Sequence, residues 1–346
     1  MNVLGIETSC DETSAAVVVD GRRVLSNVIA SQIEIHQIYG GVVPEIAARK
    51  HVDCISYIVK EALDQAGLSL SDIDAVAVAN GPGLAGALLV GLSFAKAVAF
   101  AQGIPLVGVH HIYAHVCANY LDENSKENSN EDFNRNSNKN WEPPFVSLVV
   151  SGGHTHLLHV LDYHTCKVLG RTRDDAAGEA FDKVGRALGL PYPGGPQIDK
   201  LAGLSNVDTI RFPRATVGDS LDFSFSGLKS AVLQYIQKNK HDNLFSVGNC
   251  ATSFQCAVTD ILVSRTLQAC KETGMSKVAL AGGVAANNGL RGSMRQACNE
   301  YGLQLHMPSP IYCTDNAAMV ASGGYYRRLA GELDGYDLNA HPNMEM

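Results

Sequence analysis

The sequence predicts an α/β protein built from two similar lobes with a central cleft between them. Apolar runs of strand length alternate with longer amphipathic stretches of helical period. The order βββαβαβα occurs twice along the chain, and each repeat has a polar turn of small residues between its first two strands. Because 346 residues are enough for two compact domains, we expect each repeat to form one lobe.

The first repeat begins with three strands, the last two joined by the hairpin pair Asp20-Gly21. An amphipathic helix follows and ends at Gly67, a typical C-terminal glycine. Buried strands then alternate with an apolar helix and with a short helix that carries two histidines. The predicted strands are residues 2–8, 14–20, 23–30, 75–79 and 106–109, and the predicted helices are residues 45–66, a stretch ending near 102, and the segment around 111–115.

The second repeat follows the same order, apart from two inserted helices. Its predicted strands are residues 145–150, 155–161, 166–171, 278–281 and 304–307, and its predicted helices are residues 179–188, 226–237, 250–273, 286–300 and 315–329. A duplicated unit of this kind is the plan of the actin-like ATPase fold of actin, hexokinase and the heat-shock ATPases. We therefore predict a first lobe at 1–120, joined by the C-terminal segment 325–346, and a second lobe at 145–324.

Residues 121–144 are predicted to form a disordered, Asn-rich insert between the lobes. Positions 123–140 contain seven Asn, three Ser, seven charged residues and a single Phe. Such a composition buries too little apolar area to offset the entropy lost on ordering. We interpret the segment as a surface loop.

Composition excludes several classes of protein. The net charge of −8 excludes nucleic-acid binding by bulk attraction alone, so a polynucleotide would need a local basic patch or a partner. The nine cysteines form no Cys-x-x-Cys pair, which favours reduced thiols. The apolar run from Leu84 to Phe100 is interrupted by Gly91 and Lys96, which is typical of a buried helix and not of a membrane span. The chain starts on strand residues without a leader pattern, so a cytoplasmic location is expected.

His111 and His115 have the spacing of a metal site. Four residues apart on a helix, their imidazoles project from one face and can reach one ion, although ordinary core or surface histidines are the alternative. Ile112 stands where a zinc-protease helix has its catalytic Glu. The best candidate for a third ligand is Asp315, in a turn that opens a late helix. Two histidines and a carboxylate suit Fe²⁺ or Zn²⁺ and leave positions open for a substrate.

Three small-residue loops could hold a nucleotide. The turns at 7–14 and 149–155 occupy matching places in the two repeats, and Gly152 and Gly153 are expected to provide positive φ for a phosphate cradle, although a plain hairpin would also use them. In the loop at 281–288, Asn287 could bind a ribose or base, or simply cap a helix. Asp182 and Asp199 could bind ribose hydroxyls, with solvated helix charges as the alternative.

Several long motifs resemble one family, the tRNA threonylcarbamoyladenosine transferases, once catalogued as O-sialoglycoprotein endopeptidases. The resemblance covers nearly the whole chain, and the sequence Phe-Ser-Phe-Ser at 223–226 resembles the bacterial branch. The motifs are Val-Ser-Gly-Gly-His-Thr at 150–155, Gly-Glu-Ala-Phe-Asp-Lys at 178–183, Phe-Ser-Phe-Ser-Gly-Leu-Lys at 223–229, Gly-Gly-Val-Ala-Ala-Asn at 282–287 and the stretch 96–115.

The resemblance implies transfer of a threonylcarbamoyl group from threonylcarbamoyl-AMP to the exocyclic amine of the adenosine next to the anticodon, in tRNAs reading codons that begin with A. It implies metal ligands His111, His115 and Asp315, with Fe²⁺ favoured and Zn²⁺ or Mg²⁺ as alternatives. It also implies three protein partners: a paralogue that shares the fold without the metal site, a small P-loop ATPase, and the synthase that makes threonylcarbamoyl-AMP. The implied substrate contacts are Val149, Val150, Ser151, Gly152, Gly153, Asp182, Gly195, Asp199 and Asn287.

The adenine amine is a poor nucleophile, so a base beside it would help. Asp11 is the first candidate and Glu12 the second, although both could instead cap the turn. Two other functions compete with the transferase. A metalloprotease fits the histidine pair but lacks the Glu after His111, and an actin-like ATPase module fits the lobes but gives no reason for the His-His-Asp set.

Overall fold

A computed structural model describes residues 1–122, 141–204, 210–214, 218 and 220–346. Of the insert predicted to be disordered at 121–144, positions 123–140 lie outside the described residues, so their disorder stays a prediction, whereas Leu121 and Trp141 at its two ends are buried.

The first sheet has five strands in the order β3-β2-β1-β4-β5. The first three strands are antiparallel, and β4 and β5 continue the sheet parallel to β1. Parallel strands need covered faces, which is why β4 is buried along its whole length. The strands are β1 (Asn2–Glu7), β2 (Glu12–Val19), β3 (Arg23–Ser31), β4 (Ala75–Gly81) and β5 (Leu106–His110).

Helices cover both faces of this sheet, the two long ones on one face and the short helix that carries the histidines on the other. The helices are α1 (Ile33–Gln37), α2 (Pro44–Ala66), α3 (Ala85–Gln102) and α4 (His111–Cys117). Helix α2 starts with Pro44 and ends at Gly67, whose φ of 68° only glycine adopts readily. Helix α3 is apolar and long enough to pass for a membrane span, but it packs against α2 and β4 as a core helix.

The second sheet repeats the strand order of the first, as β8-β7-β6-β9-β10. The predicted α/β class and the repeated strand order are therefore confirmed. The strands are β6 (Phe145–Val150), β7 (Thr155–Val160), β8 (Cys166–Arg171), β9 (Lys277–Ala281) and β10 (Gln304–His306), and the helices are α5 (Ala177–Ala187), α6 (Gly194–Leu204), α7 (Ser226–Asn239), α8 (Val247–Thr273), α9 (Asn288–Tyr301), α10 (Pro310–Cys313) and α11 (Ala317–Leu329).

The last helix returns to the first sheet. Helix α11 packs against β1, β2, β4 and α4. Gly5 in β1 permits this approach, because a Cβ at this position would lie only 2.8 Å from the backbone nitrogen of Ala321. The start of α11, and the loop before it, are thereby held beside α4.

The prediction missed α1, α6 and α10 and misplaced several helix starts, of which those of α9 and α11 concern candidate site residues. Gly194 and Gly195 were expected in a turn but begin α6. The helix expected from residue 286 begins at Asn288, after a 3-10 turn at Gly283–Ala286. Asp315 was expected to open the last helix. It lies just before the N-cap of α11, Asn316, whose side chain accepts a hydrogen bond from Met319.

We expect Gly5→Ala to lower the free energy of unfolding by about 1–3 kcal/mol, because the added methyl group meets helix backbone that cannot yield. The matched control is Gly292→Ala in α9, where the added Cβ would meet no atom within 4 Å. This control should gain about 0.5–1 kcal/mol from helix propensity. Urea unfolding measures both, and equal effects of the two substitutions would contradict the close packing of α11.

Candidate metal centre and substrate cleft

Helix α4 presents two histidines from one buried face. It is seven residues long, and all seven are buried. His110 caps it, since its side-chain Nδ1 accepts a hydrogen bond from the Ile112 N–H at 3.1 Å. The ring centroids of His111 and His115 lie 4.7 Å apart, as the i,i+4 spacing predicts.

Asp315 completes the predicted set. Its Oδ1 lies 3.7 Å from His111 Nε2 and 3.2 Å from His115 Nε2. One ligand atom from each of the three residues lies within 4.8 Å of the others. Residues separated by two hundred positions meet here because α11 packs on α4.

Glu7, at the end of β1, orients His111. The Glu7 side chain is fully buried, and its Oε2 lies 3.0 Å from His111 Nδ1. Ser9 Oγ also lies 3.1 Å from this nitrogen. Because a carboxylate only accepts, Nδ1 donates to Glu7, which leaves Nε2 as the ring nitrogen that a metal ion beside Asp315 could use.

The electrostatics of the set fit a divalent cation. Burial alone would lower the pKa of His111, but the charges of Asp315 and Glu7 raise it to about 9. Burial would raise the pKa of Asp315, but the positive charge on His111 and the contact with His115 hold it well below its usual range. His115 Nδ1 is buried and has no hydrogen-bond partner among the described residues, whereas its Nε2 points to Asp315. A divalent ion bound by these donors would accept the lone pair of His115 Nε2 and would offset the negative charges of Asp315 and Glu7.

Asp11 and Glu12 lie together in the turn that follows β1. Asp11 is 8% exposed, and Glu12 hydrogen-bonds both to Asp11 and to Ser31 Oγ. Burial and the negative charge of Asp11 raise the pKa of Glu12 to about 10, with a smaller contribution from Asp315. At neutral pH Glu12 therefore holds a proton and is a poor base.

The second-lobe turn faces the metal set from across the cleft. The His154 ring centroid lies 6.3 Å from that of His111. Burial and the positive charge of His111 lower the pKa of His154 to about 3, so this imidazole is neutral. Val149 and Val150 are buried in the core, which leaves only their backbone to meet a substrate.

Gly152 and Gly153 are exposed, and a Cβ on either would meet open space. The positive φ expected at these two glycines is wrong, because neither lies in the left-handed region. The turn closes instead through a hydrogen bond from Ser151 N–H to the His154 carbonyl at 2.8 Å. The first turn of α5 packs tightly beneath it, where a Cβ on Gly178 would lie 2.7 Å from Gly152 Cα.

The polar residues expected to contact a nucleotide already have partners in the protein. Asp182 accepts hydrogen bonds from the N–H groups of Gly194 and Gly195, at the start of α6. Asp199 accepts one hydrogen bond from the backbone N–H of Asn288 at 3.0 Å and another from its side-chain amide at 2.8 Å. Asn287 caps α9 through Leu290 N–H, so the helix-cap alternative is confirmed. These contacts fix the walls of the cleft.

Two cavities lie along the junction of the lobes. The smaller, about 240 Å³, is lined from the first lobe by Gln37 and Gly40 and from the second by Asp182, Tyr192 and Gly194, among others. Gln37 bridges it by donating to the Tyr192 carbonyl at 2.9 Å. The larger, about 750 Å³, is lined by residues that include His110, Gly153, His154, Arg171 and the C-terminal segment 342–346.

Sequence reasoning missed Glu7, His154, Gln37 and Tyr192. The signal for Glu7 was present, since a carboxylate that ends an apolar strand must find a partner when the strand is buried. His154 was quoted within its turn without a role. Gln37 belongs to the missed helix α1, and nothing in the local sequence marks its contact across the cleft.

The fold and the site define a class of two-lobed α/β protein with a candidate metal centre where the lobes meet. The tRNA N6-adenosine threonylcarbamoyltransferase family (TsaD) matches residues 23–322 of the sequence. The chain belongs to this family and is an enzyme of tRNA modification.

Curated relatives agree with this assignment, and solved structures agree with the fold. Proteins named tRNA N6-adenosine threonylcarbamoyltransferase from Clostridium botulinum strain Hall and Clostridium perfringens strain SM101 are each 52% identical, covering 100% and 99% of this chain and 98% of each relative. The structure of T. kodakarensis HypF gives a TM-score of 0.62 at 16% identity, covering 97% of this chain and 49% of that one. The structure of component A of (R)-2-hydroxyglutaryl-CoA dehydratase from Acidaminococcus fermentans gives a TM-score of 0.53 at 14% identity. The match covers 95% of this chain and 99% of that one. These two structures share the fold alone.

We expect Glu7→Gln to weaken divalent-metal binding about 10- to 100-fold, because the charged partner that orients His111 is lost. Elemental analysis and competition with a chelator measure the change. Glu300→Gln, the same substitution at an exposed position, is the control. Equal metal affinity in both variants would contradict the role of Glu7.

Proposed function

We propose that this enzyme transfers the threonylcarbamoyl group of threonylcarbamoyl-AMP to the exocyclic amine of the adenosine 3′-adjacent to the anticodon, in tRNAs reading codons that begin with A. The observation that carries the proposal is the set of buried His111 and His115 with the partly buried Asp315, which faces the Ser151–His154 turn across the cleft. Membership of the family supports the reaction type. The adenosine must leave the anticodon-loop stack to reach this set.

The second lobe would bind the nucleotide part of the donor. Gly152 and Gly153 leave open space above their backbone, so phosphate oxygens can approach the N–H groups of the turn closely. Val149, Val150 and Ser151 would contribute main-chain groups beside them. Asp182, Gly195, Asp199 and Asn287 would line the pocket for the ribose and base, held rigid by the contacts described above.

His111, His115 and Asp315 would hold one divalent ion per chain. Two histidines and one carboxylate favour Fe²⁺, with Zn²⁺ or Mg²⁺ as alternatives. When bound, such an ion supplies Lewis-acid polarisation of the carbamoyl carbonyl or of the neighbouring phosphate. Glu7 keeps His111 in the tautomer that faces the ion.

Asp11 would act as the general base. The adenine nitrogen attacks the carbamoyl carbon, the bond from that carbon to the phosphate oxygen breaks, and AMP leaves with the electron pair. The proton lost by the amine passes to the Asp11 carboxylate. Glu12 is the second candidate, but its own proton at neutral pH argues against it.

The fold would be the actin-like ATPase fold, which the matching strand orders of the two sheets support. The first lobe would be residues 1–120 together with the C-terminal segment 325–346, and the second lobe would be residues 145–324. Because α11 packs on the first sheet, the C-terminal part of the first lobe would start earlier, at Ala317. We place the enzyme in the cytoplasm and away from membranes.

An enzyme with a net charge of −8 needs help to hold tRNA. We propose that it works with an actin-fold paralogue lacking the metal site, a small P-loop ATPase and the threonylcarbamoyl-AMP synthase, as the family resemblance implies. The two alternatives are weaker. Ile112 leaves a metalloprotease without its base, and an ATPase module leaves the buried His-His-Asp set unexplained.

A His111→Ala/His115→Ala variant should lose transfer of labelled threonine into tRNA by at least about 100-fold, since two of three ligands are removed. The assay contains bicarbonate, ATP, the synthase and the partner proteins. His241→Ala, at an exposed position, should transfer at the wild-type rate. Full transfer by the double variant would refute the site.

Asp11→Asn should lower the single-turnover rate constant about 10²- to 10⁴-fold by removing the base. Glu12→Gln should stay within about tenfold of wild type, because the amide resembles the protonated acid already present. The reverse ranking would make Glu12 the base, and full activity of Asp11→Asn would exclude Asp11.

A further inference from the structure

The turn that carries Asp11 is held by three consecutive carbonyl groups. The Ser9 carbonyl accepts from Leu84 N–H at 2.8 Å, before α3, and the Asp11 carbonyl accepts from Gln32 N–H at 3.0 Å, at the N-cap of α1. Between them, the Cys10 carbonyl lies 3.0 Å from Nε2 of His51 on α2. Each carbonyl is thus held by a different helical segment, and only the middle donor is a side chain.

The hydrogen bonds around His51 fix its tautomer. Since a carbonyl oxygen only accepts, Nε2 carries the proton and donates it to Cys10. Nδ1 is then an acceptor, and Thr13 Oγ lies 2.7 Å from it in position to donate. His51 is fully buried, and burial lowers its pKa, which keeps the ring neutral and this arrangement intact.

A second set of hydrogen bonds braces the same turn from α1. The Gln32 side-chain Oε1 lies 3.3 Å from His36 Nε2, and Val43 N–H donates to His36 Nδ1 at 3.3 Å. Because Val43 N–H requires an acceptor, His36 Nε2 is the donor to Gln32. The segment between α1 and α2 is therefore tied, through His36 and Gln32, to the backbone of Asp11. Gln37, at the end of α1, contacts Tyr192 across the cleft.

We propose that His51 is a positioning residue for the transfer reaction. By holding the Cys10 carbonyl, its Nε2–H fixes the backbone on which the next residue, Asp11, aims its carboxylate at the attacking amine. The proposal rests on the proposed role of Asp11 as base. A displacement of about 1 Å in a catalytic group lowers rates about 100-fold, so one hydrogen bond at this turn has a large effect.

Two substitutions at His51 separate the hydrogen bond from mere packing. Glutamine places an amide N–H where Nε2 stood, whereas asparagine is too short to reach the Cys10 carbonyl. The experiment measures single-turnover transfer from threonylcarbamoyl-AMP to tRNA in the presence of the partner proteins. It uses wild type, His51→Asn, His51→Gln, Asp11→Asn and the Asp11→Asn/His51→Asn double variant, with metal content and melting temperature recorded for each.

We expect His51→Asn to lower the maximal rate constant about 10- to 100-fold, with half-saturating substrate concentrations within about twofold of wild type and unchanged metal content. The maximal rate constant of His51→Gln should lie within about fivefold of the wild-type value. The double variant should be no slower than Asp11→Asn alone, because without the Asp11 carboxylate there is no base for His51 to position.

Other outcomes overturn one claim or the other. Equal rates for the asparagine and glutamine variants, or a His51→Asn loss that multiplies fully with that of Asp11→Asn, would overturn the positioning role while leaving the transferase intact. A fully active Asp11→Asn variant would overturn the base assignment and the positioning proposal with it. No transfer by the wild type would refute the proposed function itself.

Thr13 gives a second test that leaves His51 in place. Thr13→Val removes the hydroxyl that donates to His51 Nδ1 at 2.7 Å, and Thr13→Ser keeps it. We expect the valine variant to be roughly fivefold slower and the serine variant to match wild type. If both variants matched wild type and His51→Asn failed to fold, the positioning role would be refuted.

Discussion

The packing of α11 on β1 and α4 is the contact on which the rest of the structure depends. It brings Asp315 to the two histidines of α4, although the chain separates them by two hundred residues. It is possible only because Gly5 lets a helix backbone lie directly on the sheet. His111 and Glu7 are buried and Asp315 is partly buried as a consequence, and removing such groups from water is unfavourable unless each has an opposite charge beside it.

This need for opposite charges explains why carboxylates and histidines alternate around His111. Glu7 and Asp315 lie on opposite sides of His111, so the imidazole has a carboxylate at each ring nitrogen. A structural ion pair would be satisfied by this arrangement alone. The set offers more than an ion pair, because His111 Nε2 and His115 Nε2 both approach the same Asp315 oxygen, an arrangement in which the three residues could hold one metal ion.

Most of the fold could be predicted because its elements are marked by local patterns. The strands of both sheets were recognisable by period and length, and the i,i+4 histidines indicated the metal helix. Helix α1 has only five residues and no apolar period long enough to detect. The start of α6 was hidden because Gly194 and Gly195 normally signal a turn.

The site was less predictable, because its contacts join distant segments. The three ligands could be chosen from spacing and residue type, but no pattern within the sequence pairs Glu7 with His111 or Gln37 with Tyr192. Asp199 and Asn287 were recognised as polar residues near glycine turns, whereas their hydrogen bonds to Asn288 and Leu290 depend on tertiary packing. The raised pKa of Glu12 likewise depends on its burial and on the charge of Asp11 beside it, which only the folded chain provides.

The most direct test of the account is single-turnover transfer by protein from which the metal has been removed with a chelator. We expect threonylcarbamoyl transfer to tRNA to be lost in the metal-free protein and restored by one equivalent of Fe²⁺ per chain. An Asp315→Asn variant treated in the same way should not recover. Transfer at the full rate by the metal-free wild type would contradict the central claim that this buried set serves the reaction by holding a metal.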